Sequence, residues 1–134
     1  SADLVVIDAP CTGTGTWRRN PDAKWRMRPG ALEIRVRDQV EVLERAAPLV
    51  KPGGRIGYIT CSVLGQENSA QVADFLKRHP EFAVVPPKEV VGALGERGAE
   101  FAASALLSPE GLLMTPQRTG TDGFFVSILR RQTA

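Results

Sequence analysis

The 134-residue chain contains few cysteine and aromatic residues, one histidine and no long run of apolar residues. Its two cysteines are too few for the disulfide framework of a small secreted protein, so we expect reduced thiols and a cytoplasmic location. No segment approaches the roughly 18–20 unbroken apolar residues that a membrane-spanning helix needs, and we expect no membrane partner. The spacing of cysteine, histidine and acidic residues matches no metal-ligand pattern, so no metal is expected.

The overall composition is that of a globular protein. Hydrophobic residues make up 43% and charged residues 24% of the chain, which excludes a disordered tail, a collagen-like repeat and a coiled coil. The length suits one domain or part of one. Because an apolar run at 4–7 begins almost at Ser1, we expect the chain to be a piece of a longer protein.

Positive charge is concentrated in one segment of the chain. The net charge is only +2, but seven cations and two anions lie between Arg18 and Arg37, so the remainder is mildly acidic. Trp17 and Trp25 stand among these cations. Cations interleaved with aromatic rings suit single-stranded nucleic acid, since they offer phosphate contacts and stacking faces together. A solvated loop anchored by its tryptophans is the alternative interpretation.

Apolar periodicity predicts alternating strands and helices. The run at 4–7 is rich in β-branched residues and indicates a strand buried on both faces of a parallel sheet. Apolar residues at helical spacing predict a helix from about Ala31, which Pro48 loosens. The segment 51–54 (Lys-Pro-Gly-Gly) ends this helix, and its glycine pair predicts a turn. Further predicted elements are strands at 55–60, 82–85 and 124–129, a helix at 66–78, a short strand at 112–114 and a short helix or two within 88–110. This alternation predicts the α/β class.

Two polar segments follow the first two predicted strands. Residues 8–11 (Asp-Ala-Pro-Cys) follow the first strand, and residues 60–62 (Thr-Cys-Ser) end the second. Ligands of parallel α/β sheets bind at the carboxyl ends of the strands, so neighbouring strands would bring Asp8, Cys11 and Cys61 to one cleft. The alternative is that Asp8 caps a turn and that both cysteines are small buried hydrophobes.

Two other features carry no predicted chemistry. The segment 13–15 (Gly-Thr-Gly) resembles the start of a dinucleotide-binding loop, but Arg18 stands where the third glycine belongs. No predicted helix follows it to seat a diphosphate, so we expect a flexible loop. His79 precedes Pro80 at a predicted helix end, where a cation favours the last carbonyl groups, and we expect no catalytic role for it.

Several motifs stand in order along the chain. They are Asp8-Ala9-Pro10-Cys11, Arg19-Asn20-Pro21-Asp22 with Lys24-Trp25, Thr60-Cys61-Ser62, Glu67-Asn68 and Asp122-Gly123-Phe124-Phe125. Together they resemble the RNA cytosine-C5 methyltransferases of the Sun/NOL1/NOP2 type, and the bacterial 16S rRNA cytosine methyltransferases most closely. The resemblance covers residues 1–86 and 111–131.

The resemblance implies a class I, Rossmann-like methyltransferase fold that uses S-adenosylmethionine. This chain would supply the C-terminal half of a mostly parallel sheet, with flanking helices and an antiparallel last strand. The family's glycine-rich cofactor loop would lie upstream, so we expect residues 1–134 to be the C-terminal portion of one methyltransferase domain. We expect this piece alone to bind cofactor weakly or not at all, to be inactive, and to self-associate through its apolar first strand.

The resemblance also implies a role for each matching residue. Cys61 would be the nucleophile that adds to cytosine C6, and Cys11 would assist release of the product. Asp8 would line the pocket for the cofactor and the base. The implied partner is RNA, in particular 16S rRNA. The expected substrate-binding residues are Pro10, Arg18, Arg19, Lys24 and Trp25.

Two other functions stay open. In a DNA cytosine-C5 methyltransferase the nucleophile belongs to a Pro-Cys dipeptide after the fourth strand, which would give its role to Cys11. Cysteine is not expected in that family at the position of Cys61, which counts against this alternative. A non-catalytic RNA-binding module would keep the fold and the basic segment without using Cys61 as a nucleophile.

Overall fold

The computed structural model describes residues 2–11, 30–62, 64–86, 89, 106–114 and 124–133. Within these residues it contains six strands and two α-helices. The strands are β1 (Ala2–Asp8), β2 (Val50–Thr60), β3 (Phe82–Val84), β4 (Leu106–Ser108), β5 (Gly111–Met114) and β6 (Phe124–Arg131), and the helices are α1 (Ala31–Ala46) and α2 (Ser69–Arg78). Short 3₁₀ turns at Ala47–Leu49 and Gly65–Glu67 precede β2 and α2. Neither described α-helix is long and apolar enough to cross a membrane.

The strands form one sheet in the order β1-β2-β6-β5-β4, with β3 paired to the C-terminal half of β6. β1 and β2 are parallel, whereas the ladders that β6 forms with β2, β3 and β5 are antiparallel. Strands β1, β2 and β3 therefore run in one direction, and β6 runs against them. The predicted α/β class and the antiparallel last strand are confirmed.

The hydrophobic core lies between the two helices and one face of the sheet. Along β2, Ile56 and Tyr58 alternate onto this face and are fully buried, as the two-residue period of a strand requires. Leu43 of α1 and Phe75 of α2 meet them from the helical side. One shared core thus fixes both helices against the strands that end at the polar segments.

β1 is buried on one face rather than on both. Ile7 is buried, whereas Leu4 and Val6, which alternate to the opposite face, are 55% and 61% exposed. The expectation of a strand buried on both faces is therefore wrong for the described part of the chain. The physical reason is that α1 lies against one face of β1, while no described element covers the other.

The glycine pair after α1 belongs to a strand rather than to a turn. The helix ends at Ala46, and Pro48 lies in the following 3₁₀ turn, in agreement with a loosened last turn. The segment 51–54 is already part of β2. Gly53 has a φ of +83°, and the pairing of β1 with β2 is irregular there. Because the two glycines form an irregularity inside the strand, the predicted strand start at Arg55 is wrong.

Strands β4 and β5 form a hairpin that the sequence predicts only in part. β5 confirms the short strand predicted at 112–114. β4 lies within the segment for which short helices are predicted, so that prediction is wrong at Leu106–Ser108. The two leucines stand after an Ala- and Gly-rich stretch and show too little alternation to indicate a strand. The rest of that segment, 88 and 90–105, lies outside the described residues.

His79 is the C-cap residue of α2 and contacts side chains of both helices. Its ring stacks on Phe75, with the ring centroids 4.6 Å apart and the planes inclined by 25°. Its Nε2 lies 2.8 Å from a carboxylate oxygen of Glu44 on α1, and its Nδ1 lies 3.2 Å from Glu81. The contact with Glu44 joins α2 to α1, whereas the stacking on Phe75 lies within the end of α2. The expectation that His79 is not catalytic stays a prediction.

We expect His79→Ala to lower the free energy of unfolding by about 1–2 kcal/mol, because the stacked ring and the link from α2 to α1 are lost. Arg45→Ala is the control, since it removes only an exposed contact with Glu41 on α1, worth roughly 0.5 kcal/mol or less. Urea unfolding followed by circular dichroism measures both. Equal losses would show that His79 contributes no more than a surface ion pair.

We expect Gly111→Ala to lower the free energy of unfolding by about 2 kcal/mol through overpacking. An added Cβ would lie 2.5 Å from the carbonyl oxygen of Val126 and 2.7 Å from a ring carbon of Phe125, so β5 must move away from β6. Gly65→Ala is the matched control, because its Cβ meets nothing within 4 Å, and we expect a change within about 0.5 kcal/mol. Similar unfolding curves for both variants would contradict tight packing of β5 on β6.

Candidate functional site

The carboxyl ends of β1 and β2 lie side by side. Asp8 is opposite Ile59 in the parallel ladder, and the Ala9 N–H donates a hydrogen bond to the Ile59 carbonyl oxygen at 2.8 Å. The ladder therefore brings the segment 8–11 next to the segment 60–62. The predicted meeting of these two polar segments at one edge of the sheet is confirmed.

The two cysteines differ in exposure. Neither forms a disulfide; Cys61 is exposed and Cys11 is half-buried. The alternative in which both thiols are small buried hydrophobes is therefore wrong for Cys61. Asp8 is also exposed, so its carboxylate is accessible to a ligand. At adjacent strand ends, an exposed thiol can attack a planar substrate and an exposed carboxylate can hydrogen-bond its edge.

Side-chain hydrogen bonds hold the turn that carries Cys61 from both sides. The Thr60 hydroxyl donates to Asn68 Oδ1 at 2.5 Å and accepts the Ser62 N–H at 3.2 Å. Asn68 Nδ2 in turn donates to the Ser62 carbonyl oxygen at 2.8 Å. Because Thr60 and Asn68 are buried, these bonds are shielded from water and fix the backbone on either side of the exposed thiol.

Glu67 places a carboxylate inside the protein beneath this turn. Its side chain is fully buried, and such burial is costly unless hydrogen-bond donors surround the charge. Ser62 Oγ donates to one carboxylate oxygen at 3.0 Å, and Gln39 Nε2 donates to the other at 2.9 Å. Glu67 thus joins helix α1 to the residue that follows Cys61.

Gln39 connects this cluster to the other polar segment. Its Nε2 also donates to the Pro10 carbonyl oxygen at 2.8 Å. Its Oε1 accepts a hydrogen bond from Gln71 Nε2 at 3.0 Å, and that nitrogen also donates to the Val36 carbonyl oxygen at 2.7 Å. We call the side chains of Gln39, Glu67, Ser62 and Gln71 the amide–carboxylate network.

The sequence prediction does not include the amide–carboxylate network. One signal for it is visible in the sequence: Gln39 stands three residues after Val36 and four before Leu43. This spacing places a polar residue on the apolar stripe of α1, where a buried glutamine needs hydrogen-bond partners. The partners themselves come from elements distant in the sequence.

Tyr58 is fully buried in the core beside the amide–carboxylate network. Burial raises the pKa of its hydroxyl well above the ordinary value, and the negative charges of Glu67 and Cys11 raise it further. The phenol therefore remains protonated and donates to the backbone carbonyl oxygen of Glu67 at 2.8 Å.

The remaining predicted substrate-binding residues are placed unequally. Pro10 is half-buried, and its carbonyl group belongs to the hydrogen bonds described above. Arg18, Arg19, Lys24 and Trp25 lie outside the described residues, as does the glycine segment 13–15. Within the described part of the chain, no group of three or more His, Cys, Asp or Glu residues could hold a metal ion.

The chain is similar to curated proteins along almost all of its length. It is 40% identical over 134 residues to a putative methyltransferase of Mycobacterium tuberculosis (strain ATCC 25618 / H37Rv), covering 98% of this chain and 27% of that protein. It is 34% identical over 130 residues to the ribosomal RNA small subunit methyltransferase B of Erwinia tasmaniensis, covering 97% and 26%. The chain therefore spans about a quarter of the length of these relatives.

Solved structures show the same fold. The crystal structure of PH0851 superposes with a TM-score of 0.78 at 38% identity, covering 97% of this chain and 27% of that one. NSun6 from Pyrococcus horikoshii, solved with SFG, has a TM-score of 0.72 at 22% identity and covers 94% and 29%. The Rossmann-like methyltransferase fold expected from the sequence is confirmed.

The family itself is shown by a match to residues 1–130 of the chain. The matching family model is described as 16S rRNA methyltransferase RsmB/F, which confirms the resemblance to Sun and NOL1 proteins. Because this match extends over nearly the whole sequence, the chain belongs to the 16S rRNA methyltransferase RsmB/F family.

Proposed function

We propose that the chain carries the catalytic cleft of an RNA cytosine-C5 methyltransferase that uses S-adenosylmethionine and acts on 16S rRNA in the cytoplasm. The observation that carries the proposal is the exposed Cys61 at the end of β2, beside the segment that holds Asp8 and Cys11. The family match and the names of the relatives support an rRNA substrate. The SFG bound to NSun6, an analogue of S-adenosylmethionine, supports the cofactor.

The first step uses Cys61 as a nucleophile. Cytosine C5 is too electron-poor to accept a methyl group unaided. When the Cys61 thiolate adds to C6, the C5–C6 double bond is lost and its electron pair becomes available at C5, which makes C5 nucleophilic. The exposed Asp8 carboxyl group hydrogen-bonds the edge of the base and stabilises the charge that develops there.

The second step returns the enzyme to its starting state. When bound, S-adenosylmethionine would supply the methyl group that C5 takes and would leave as S-adenosylhomocysteine. The Cys11 thiolate then takes the proton from C5, and the electron pair of that C–H bond restores the C5–C6 double bond. The C6–sulfur bond breaks, and its electron pair leaves on the Cys61 thiolate. The products are 5-methylcytosine in the RNA, S-adenosylhomocysteine and a protonated Cys11, which releases its proton to solvent before the next cycle.

The target base must leave its stack to reach a cleft at a strand end. In the proposal, the basic residues Arg18, Arg19 and Lys24 contact phosphate groups, while Trp25 stacks on an exposed base. Pro10 lies against the substrate at the rim of the cleft. Residues 1–134 form the C-terminal part of the methyltransferase domain, and experiments therefore use the complete gene product.

We expect a stable covalent adduct on Cys61 when the complete gene product meets 5-fluorocytidine-substituted 16S rRNA and S-adenosylmethionine. Fluorine at C5 leaves no proton to remove, so the thiol stays attached to the base. Denaturing electrophoresis detects the adduct, and peptide mapping assigns it. Cys61→Ala should abolish the adduct and lower kcat on normal RNA by at least about a thousandfold.

Other results of this experiment would contradict the proposal. An adduct on Cys11 would mean that the two thiols exchange roles, as in the DNA cytosine-C5 methyltransferases. RNA binding without any adduct or methyl transfer would favour a non-catalytic RNA-binding module.

A further inference from the structure

We propose that Gln39 is a positioning residue that holds the segment 8–11 (the Cys11 loop) against the segment 60–62 (the Cys61 loop). In this position the thiol of Cys11 can act in product release. This inference rests on the proposed function and assigns a role to a residue outside the motifs. Gln39 lies in the middle of α1 and is fully buried. It acts only through other residues and makes no contact with substrate in this proposal.

A short chain of hydrogen bonds joins the two loops. Gln39 Nε2 donates to the carbonyl oxygen of Pro10, the residue before Cys11, and to a carboxylate oxygen of Glu67. The other oxygen of that carboxylate accepts the hydroxyl of Ser62, the residue after Cys61. One amide and one carboxylate therefore span the distance between the neighbours of the two thiols.

A primary amide is suited to this position. Its nitrogen carries two N–H groups, and here one points to Pro10 and the other to Glu67. Its oxygen is occupied by Gln71, which fixes the direction in which the amide faces. A hydrophobic residue of the same size would leave a buried carbonyl group and a buried carboxylate without this donor, and a glutamate would place a second negative charge against Glu67.

The Cys61 turn does not depend on Gln39 alone. Thr60 and Asn68 hold the backbone on both sides of Cys61 through their own hydrogen bonds. The Pro10 carbonyl oxygen, by contrast, is the anchor next to Cys11 that the amide–carboxylate network provides. Loss of the amide should therefore displace Cys11 more than Cys61, and it should slow release more than addition.

The release step makes this asymmetry measurable. Release requires the Cys11 thiolate to take the C5 proton while the C5–C6 double bond forms again and the C6–sulfur bond breaks. If Cys11 is displaced, Cys61 still adds to the base and the methyl group is still transferred. The methylated RNA then stays bound to Cys61, so a covalent complex accumulates on natural RNA without fluorine.

The test uses the complete gene product with unsubstituted 16S rRNA and methyl-labelled S-adenosylmethionine. We compare the wild type with Gln39→Met, Leu129→Ala and Cys11→Ala. Denaturing electrophoresis gives the fraction of enzyme linked to labelled RNA, steady-state rates give kcat and KM, and thermal melting gives stability. Leu129→Ala is the control for lost stability, because Leu129 is buried in the core but pairs with Ile56 and Val84, at the end of the sheet away from both thiols.

We expect Gln39→Met to accumulate the methylated covalent complex, as Cys11→Ala does, with kcat lower by roughly tenfold to a hundredfold and an unchanged KM for RNA. Leu129→Ala should melt at a lower temperature because it leaves a cavity in the core, but it should show no more covalent complex than the wild type. Glu67→Met removes both acceptor oxygens of the next link in a side chain of similar length, and it should accumulate the complex as well.

Two outcomes would overturn the inference, and they are distinct. If Gln39→Met and Glu67→Met lose activity only in proportion to stability, with no more covalent complex than Leu129→Ala, the network is structural and does not position Cys11. If the wild type transfers no methyl group and Cys11→Ala forms no complex, the proposed function fails, and the role of Gln39 fails with it.

Discussion

The parallel pairing of β1 with β2 is the constraint on which the rest of the site depends. Parallel strands end at the same edge of a sheet, so the pairing alone brings the residues that follow Asp8 and Thr60 next to each other. The same pairing requires the chain to cross from one end of the sheet to the other between the strands. Helix α1 is part of that crossing and covers the face on which Ile7 and Tyr58 are buried.

Helix α1 contributes both to the hydrophobic core and to the hydrogen bonds of the candidate site. Leu43 lies in the core, while Gln39, one helical turn earlier, reaches the backbone of one strand end and the carboxylate behind the other. A buried polar cluster weakens a core unless its hydrogen bonds are made. Here Glu67 receives donors on both oxygens, and Tyr58 satisfies its backbone carbonyl group. The resulting rigidity lies directly beneath an exposed cysteine.

The sequence predicts the parts of this arrangement that depend on local pattern. The β-branched run before Asp8 and the strand before Cys61 indicate two core strands, and general rules for parallel sheets then bring their ends together. Gly53 misleads because glycine permits a positive φ equally in a turn and in a strand irregularity, and only the pairing with β1 decides between them. The partners of Gln39 are also hidden, because Pro10, Glu67 and Gln71 are distant from it in sequence and meet only when the sheet and both helices are packed.

The two thiols occupy environments that suit different steps. Cys61 is exposed on a turn whose backbone is held by Thr60 and Asn68, so a substrate can reach it without a change in the fold. Cys11 is half-buried, and the carbonyl group of the preceding residue, Pro10, accepts a hydrogen bond from Gln39. A nucleophile needs access, whereas a group that removes a proton from an already attached base needs a fixed position relative to that base. The different exposures of Cys61 and Cys11 thus suit their proposed roles, in which Cys61 forms the bond to cytosine C6 and Cys11 helps to break it.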